Sequence, residues 1–243
     1  MQLKNIFKVI NNFKIVLFVY NFPHRKSIDF ITILSKLHFK ISLILAADFV
    51  SIESPKSAFV FKKTELTKSA KDLAEKYHIP YYVVKHNSTE TKNLLKRYDV
   101  NFGIIAGARI LHESIINRIK YGVLNFHPGL LPAIRGLDAV LWAIYKNESI
   151  GVTAHLITEK IDAGMLICQQ KITISLDDNI ETIFQKNYQL QLDLIPISLN
   201  LLSKNKKLQT LSDRGNYHTK MSYETQLKLR EMITHYIKKN HQE

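Results

Sequence analysis

The chain is short of cysteine, of acidic residues and of long apolar runs. Its 243 residues include one cysteine, Cys168, so no disulfide can form within it. A single thiol fits a reducing compartment, and a cytoplasmic location is expected. No Cys/His cluster has zinc-site spacing, so no metal is expected. Asp and Glu number 21 against 34 Lys and Arg, a formal net charge of +13. Such a balance steers anionic partners toward the surface. The basic residues are spread along the chain, and Lys204-Asn-Lys-Lys207 is too short to mark a nucleic-acid surface. No nucleic-acid partner is therefore expected. Between Met1 and Tyr20, Lys4, Lys8 and Lys14 interrupt the apolar residues, and no small-residue cleavage site follows. The stretch reads as neither signal peptide nor membrane span, so no membrane insertion is expected.

What is present suits a soluble globular protein: 46% hydrophobic and 23% charged residues. The length suffices for a sizeable core. Short apolar runs alternate with amphipathic ones. Strands are expected at 13–20, 40–46, 81–84, 102–106, 123–126 and 152–157. Helices are expected at 26–37, with Ser27 as a cap, and at 67–77, 88–97, 112–118 and 137–145. Repeated βα units predict an α/β fold: a Rossmann-like open, mostly parallel sheet with helices on both faces. Residues 165–174 read as an edge strand. A long helix over 180–203 is expected to break or kink at Pro196. Residues 209–220 read as loop, and 223–239 as a last helix. The division predicted is a core over 1–175 and a short, mainly helical C-terminal extension over 176–243, packed on it.

Seven of the eight glycines fall between Gly103 and Gly164, so tight bends or close approaches concentrate there. Within that region lies Gly122-Val-Leu-Asn-Phe-His-Pro-Gly-Leu-Leu-Pro-Ala-Ile-Arg-Gly136. Pro128 disfavours helix at His127 and cannot donate to a ladder, so the strand should stop there. Asn125 and His127 are two apart and share one face of an extended segment. A second run, Gly151-Val-Thr-Ala-His-Leu-Ile-Thr-Glu-Lys-Ile-Asp-Ala-Gly164, ends in a turn that presents Asp162. An amide, an imidazole and a carboxylate can together steady an oxyanion and move a proton. Ligands of an open parallel sheet sit beyond the C-terminal strand ends, where Asn125 and His127 fall.

The two segments resemble the formyltransferase family that uses 10-formyltetrahydrofolate. The matching residues are Asn125, His127, Pro128, Leu130-Leu131-Pro132, Gly136, Gly151, Asp162 and Gly164. The resemblance implies an N-formyltransferase with 10-formyltetrahydrofolate as co-substrate and no metal. Asn125, His127 and Asp162 would be catalytic. Arg109, Ile110, Leu111, Leu156, Thr158 and Ile161 would line the folate pocket, a narrow apolar slot with backbone donors and acceptors.

Three acceptors stay open. The purine-pathway glycinamide ribonucleotide enzymes carry a Gly-rich phosphate loop after the first strand, but residues 19–27 here contain no glycine. His155, on the other hand, echoes their motif. Methionyl-tRNA formyltransferases append a β-barrel domain, whereas the residues after Ile174 read largely helical. Nucleotide-sugar N-formyltransferases match best through Arg135-Gly136 and Asp138–Tyr145. A nucleotide-linked amino deoxysugar, such as dTDP-4-amino-4,6-dideoxyglucose, is therefore the expected acceptor. Its product would serve lipopolysaccharide O-antigen synthesis. His24, Arg25, Lys26 and Arg135 would bind the nucleotide sugar, the first three at a helix start. Trp142 and Tyr145 read as core. The resemblance also admits a homodimer, or an inactive folate- or sugar-nucleotide-binding protein.

Overall fold

The computed structural model describes residues 13–51, 53, 56–61, 65–204, 207–212 and 217–241. The expectations for Met1–Asn12 and for part of the 204–207 cluster lie outside the described residues. Eight strands form one mixed sheet in the order β3-β2-β1-β4-β5-β7-β8-β9. They are β1 (Ile15–Tyr20), β2 (Ile41–Ala47), β3 (Tyr81–Val83), β4 (Phe102–Ile105), β5 (Val123–His127), β7 (Gly151–Leu156), β8 (Gly164–Lys171) and β9 (Gln209–Leu211). A two-residue strand, β6 (Arg135–Gly136), pairs separately with β10 (Tyr217–His218). The first five strands in sheet order run parallel, and β7, β8 and β9 continue the sheet antiparallel.

The helices are α1 (Arg25–Lys36), α2 (Ala70–Lys76), α3 (Thr89–Arg97), α4 (Glu113–Ile116), α5 (Ala139–Tyr145), α6 (Ile180–Ser203) and α7 (Tyr223–Asn240). The period-two alternation of β1 divides its side chains between two cores. Ile15, Leu17 and Val19 pack with α1, α2 and α6, while Val16 and Phe18 pack with α3 and α4. A third cluster joins α5 to α7 through Val140, Ile144, Leu229 and Ile237. Helices thus cover both faces, as the βα alternation predicts. Leu190, Ile195 and Leu199 of α6 belong to the same cluster as the strands, so residues on either side of position 175 share one core.

Four local expectations are corrected. The cap of α1 is His24, whose ring accepts from the Ser27 amide; Ser27 lies inside the helix. α6 runs unbroken past Pro196. Proline removes one backbone bond there, but Ile195 and Leu199 on its flanks are fully buried and hold the helix to the sheet. Residues 209–220 contain β9 and β10 rather than loop alone, and β9 displaces β8 from the edge. Residues 209–211 and 217–218 offer no apolar run, so only long-range pairing reveals these two strands. Among the described residues no helix is long and apolar enough to cross a membrane.

Candidate active site

β5 sits where the sheet changes direction, parallel to β4 and antiparallel to β7. Leu124 and Phe126 point into the α1/α6 core, and Val123 into the α3/α4 core. Alternation therefore puts Asn125 and His127 on the Val123 face, beyond the end of its apolar cluster. Across the ladder, Asn125 faces His155 and His127 faces Thr153.

The loop after β5 is tied down from β7. The fully buried Thr153 hydroxyl donates to the Gly129 carbonyl at 2.7 Å and accepts from the Leu131 amide at 3.0 Å. Gly129 has no side chain to spare: a Cβ there would stand 2.9 Å from His127 Nε2 and 3.0 Å from the Ile134 carbonyl. Those two groups are themselves hydrogen-bonded at 2.8 Å, so the loop folds directly over the imidazole. A carbonyl can only accept, so Nε2 carries the hydrogen.

Asp162 closes the other side. Its backbone is left-handed, with φ 50°, a conformation Asp tolerates in turns. Oδ2 accepts from the Gly136 amide at 2.7 Å, and Oδ1 lies 3.4 Å from His127 Nδ1. With Nε2 already protonated toward Ile134, the Nδ1–carboxylate pair is attractive only when it holds one further proton. Burial drives the His127 pKa down. Asp162 and the Ile134 carbonyl oppose that shift, Lys26 and Arg135 add to it, and the net direction is downward.

His155 is fully buried. Its Nε2 lies 3.3 Å from Asn125 Nδ2, and its Nδ1 3.2 Å from the Ala163 carbonyl. Nδ1 must donate to the carbonyl, which leaves Nε2 to accept from the Asn125 amide and fixes the tautomer. Burial, the largest cause, lowers the His155 pKa to about 4, which keeps the ring neutral.

The residues expected around folate are placed as follows. Leu111 is buried with Ile157 in the α3/α4 cluster, which joins the β4 and β7 loops. Arg109 donates to the Val50 carbonyl at 2.9 Å, and Ile110 is 60% exposed. Leu156 is half-buried against Gly122, while Thr158 and Ile161 are exposed.

The residues expected to bind the nucleotide sugar divide. The His24 ring caps α1 and lies 2.8 Å from Ser27 Oγ; burial lowers its pKa to about 4. Arg25 stacks on Tyr188 and pairs with Asp29. The Lys26 ammonium turns inward to the Phe126 carbonyl and Gln191. Arg135 is buried and donates to the Ile161 carbonyl at 2.7 Å. Trp142 donates its indole N–H to the Thr219 carbonyl and stacks on His218.

Sequence reasoning gave no role to Thr153, Gln191 or the Gly136 amide. His155 carried a signal, a lone polar residue inside an apolar run. A surface cleft of about 420 Å³ lined by Phe59, Phe61, Ile180 and Ile233 shares no residue with this site. Among the described residues no group of three His, Cys, Asp or Glu could hold one metal ion.

The formyl transferase family model matches residues 32–198, and the chain belongs to that family of formyl-transferring enzymes. Phosphoribosylglycinamide formyltransferase of Bacillus subtilis is 32% identical over 154 residues, 59% of this chain and 76% of its own length. Methionyl-tRNA formyltransferase of Thermodesulfovibrio yellowstonii is 35% identical over 112 residues, 45% of this chain; the match spans only 36% of that enzyme. The formyltransferase PseJ from Anoxybacillus kamchatkensis was solved with UDP-4,6-dideoxy-4-formamido-L-AltNAc and tetrahydrofolate. It superposes with a TM-score of 0.57 at 19% identity, covering 92% of this chain and 97% of PseJ. At that identity the likeness speaks for the fold.

Proposed function

We propose that the protein transfers a formyl group from 10-formyltetrahydrofolate to the amine of a nucleotide-linked amino deoxysugar. The observation that carries the transfer chemistry is the convergence of Asn125, His127 and Asp162 at the end of β5. The substrate amine attacks the formyl carbon, a C–N bond forms, and the formyl oxygen becomes an oxyanion. Asn125 keeps one amide hydrogen beyond the one directed at His155, and that hydrogen serves the oxyanion. His127 Nε2–H, held here on the Ile134 carbonyl, is the second donor that lies at this strand end. Collapse of the tetrahedral intermediate breaks the bond to the folate nitrogen. The proton lost by the amine passes through the His127–Asp162 pair and water to that leaving nitrogen.

Two features favour this acceptor. Residues 19–27 lack glycine, and the start of α1 is capped by His24, so no open backbone cradle for a ribonucleotide phosphate is offered there. PseJ, which shares this fold, was solved with a formamido sugar nucleotide, so the fold admits an acceptor of that class. A second reading, glycinamide ribonucleotide as acceptor, is favoured by the Bacillus subtilis relative. The test is to incubate the protein with 10-formyltetrahydrofolate and a panel of amino-sugar nucleotides, glycinamide ribonucleotide and methionyl-tRNA. Mass spectrometry then reads the gain of one formyl group. Formylation of the amino sugar alone supports the proposal, and formylation of another acceptor alone overturns it.

A further inference from the structure

Lys26 is spent in an unusual way. It stands in the first turn of α1, yet its Nζ lies 3.3 Å from the Phe126 carbonyl and 3.0 Å from Gln191 Oε1. The ammonium also sits over the Phe30 ring, 5.3 Å from its centroid. Among the described residues no carboxylate pairs with it. Lys26 is half-buried, and drawing a cation from water without a counter-ion is costly, so such a lysine needs a compensating reason. Gln191 passes the connection on: its Nε2 donates to Asn187 Oδ1 at 3.3 Å. Asn187 Nδ2 in turn donates to the Gly151 carbonyl at 2.9 Å and reaches the Pro128 carbonyl at 3.4 Å. Gln191 and Asn187 are four apart on α6 and both are buried. The relay therefore grips the carbonyls of Phe126 and Pro128, one on each side of His127.

We propose that Lys26 is a positioning residue: with Gln191 and Asn187 it clamps the backbone flanking His127, and it sets an unneutralised positive charge on the backbone next to that imidazole. This rests on the formyl-transfer reading for its catalytic consequence but not for its structure. The charged and titratable groups facing His127 are Lys26 from α1, Arg135 from β6, His155 from β7 and Asp162 from the β7–β8 turn. Lys26 and Arg135 disfavour the imidazolium and Asp162 favours it. Lys26 also bears on His24. Burial lowers the Lys26 pKa to about 8, so the ammonium persists at neutral pH and discharges on mild alkalinisation.

The charge and the clamp are separable. Lys26→Gln keeps a donor for the Phe126 carbonyl and removes the charge, Lys26→Met removes both, and Gln191→Leu breaks the relay while leaving the charge. The His127 imidazole is titrated by NMR in histidine-labelled full-length protein, its signal assigned by its loss in His127→Asn. Both Lys26 variants are expected to raise the His127 midpoint by roughly half a unit or more, the scale of a nearby unit charge. Gln191→Leu is expected to leave the midpoint in place and to lower kcat more than it changes KM. The acid limb of kcat/KM should move up with the NMR midpoint in Lys26→Gln. An unmoved midpoint in folded Lys26→Gln overturns the charge role, and unchanged kcat in Gln191→Leu overturns the clamp. The titration needs no substrate, so failure of every acceptor to react would count against the formyl-transfer reading and leave the test of Lys26 intact.

Discussion

The Gly136 amide and the Asp162 carboxylate are joined by a 2.7 Å hydrogen bond that leaves the second carboxylate oxygen facing His127. One backbone N–H thus aims a side chain from a different loop. Asp162→Asn keeps the shape but removes the charge; its amide oxygen accepts from the Gly136 N–H, which turns the NH2 group toward His127. Turnover is expected to fall roughly a hundredfold, comparable to loss of one preorganised electrostatic contact. The His127 NMR midpoint should drop as well, because Asp162 is the larger of the two influences that raise it. Turnover within twofold of wild type would remove Asp162 from the mechanism.

Gly136 itself is the next test. Its φ is +96°, and a Cβ there would drive into the His218 carbonyl. Gly136→Ala is expected to cost about 1–3 kcal/mol of stability, the scale of a strained backbone conformation. It should also lower turnover by displacing the Asp162 contact. Urea denaturation and initial rates on the same preparation read both effects.

Asn125 and His155 should separate in kinetics. Asn125→Ala removes the oxyanion donor itself, and kcat is expected to fall about a hundredfold. His155→Gln leaves Asn125 present but unaimed, and a loss of roughly ten- to a hundredfold is expected, as small misplacements give. Equal rates for His155→Gln and wild type would show that the 3.3 Å contact does not orient the amide.

The same histidine makes stability depend on pH. Its folded pKa is about 4 against 6.5 unfolded. Above 6.5 both states are neutral, so it contributes no slope. Between 6.5 and 4 the unfolded state takes up the proton and the folded state does not, so stability falls as pH falls. The contribution lost across that window is about 3 kcal/mol. Unfolding free energies from pH 7.5 to 4.5 should decline less steeply in His155→Gln than in wild type, and parallel curves would refute it.

On the donor side, Arg109→Ala is expected to raise the KM for 10-formyltetrahydrofolate while leaving kcat nearly unchanged, the signature of lost uniform binding. A fall in kcat at constant KM would move Arg109 out of the folate pocket.

Some of this was readable from residue order, and some could not be. The parallel half of the sheet followed from alternating apolar runs, because a strand buried on both faces must be apolar throughout. Asn125 and His127 were visible as a same-face pair from spacing alone. Asp162 was visible as a carboxylate on a turn, but nothing in residues 151–164 states how that turn folds back onto His127. The Asn125–His155 contact depends on the antiparallel register of β5 against β7, two strands some thirty residues apart, which no local pattern encodes. Lys26 was expected to meet the nucleotide sugar at a helix start. Its inward turn is set by the rotation of α1 against β5 and α6, a tertiary property. β9 and β10 stayed hidden because their pairing partners lie 45 and 82 positions earlier, at Met165 and Arg135.

The pairing of β10 with β6 sets an order of assembly. Gly136 meets its partner His218 only after some eighty further residues have been made. During synthesis the parallel half of the sheet can form before the partner of β6 exists. The strand that backs Gly136, whose amide aims Asp162, is therefore supplied from a part of the chain made well after the parallel half of the sheet.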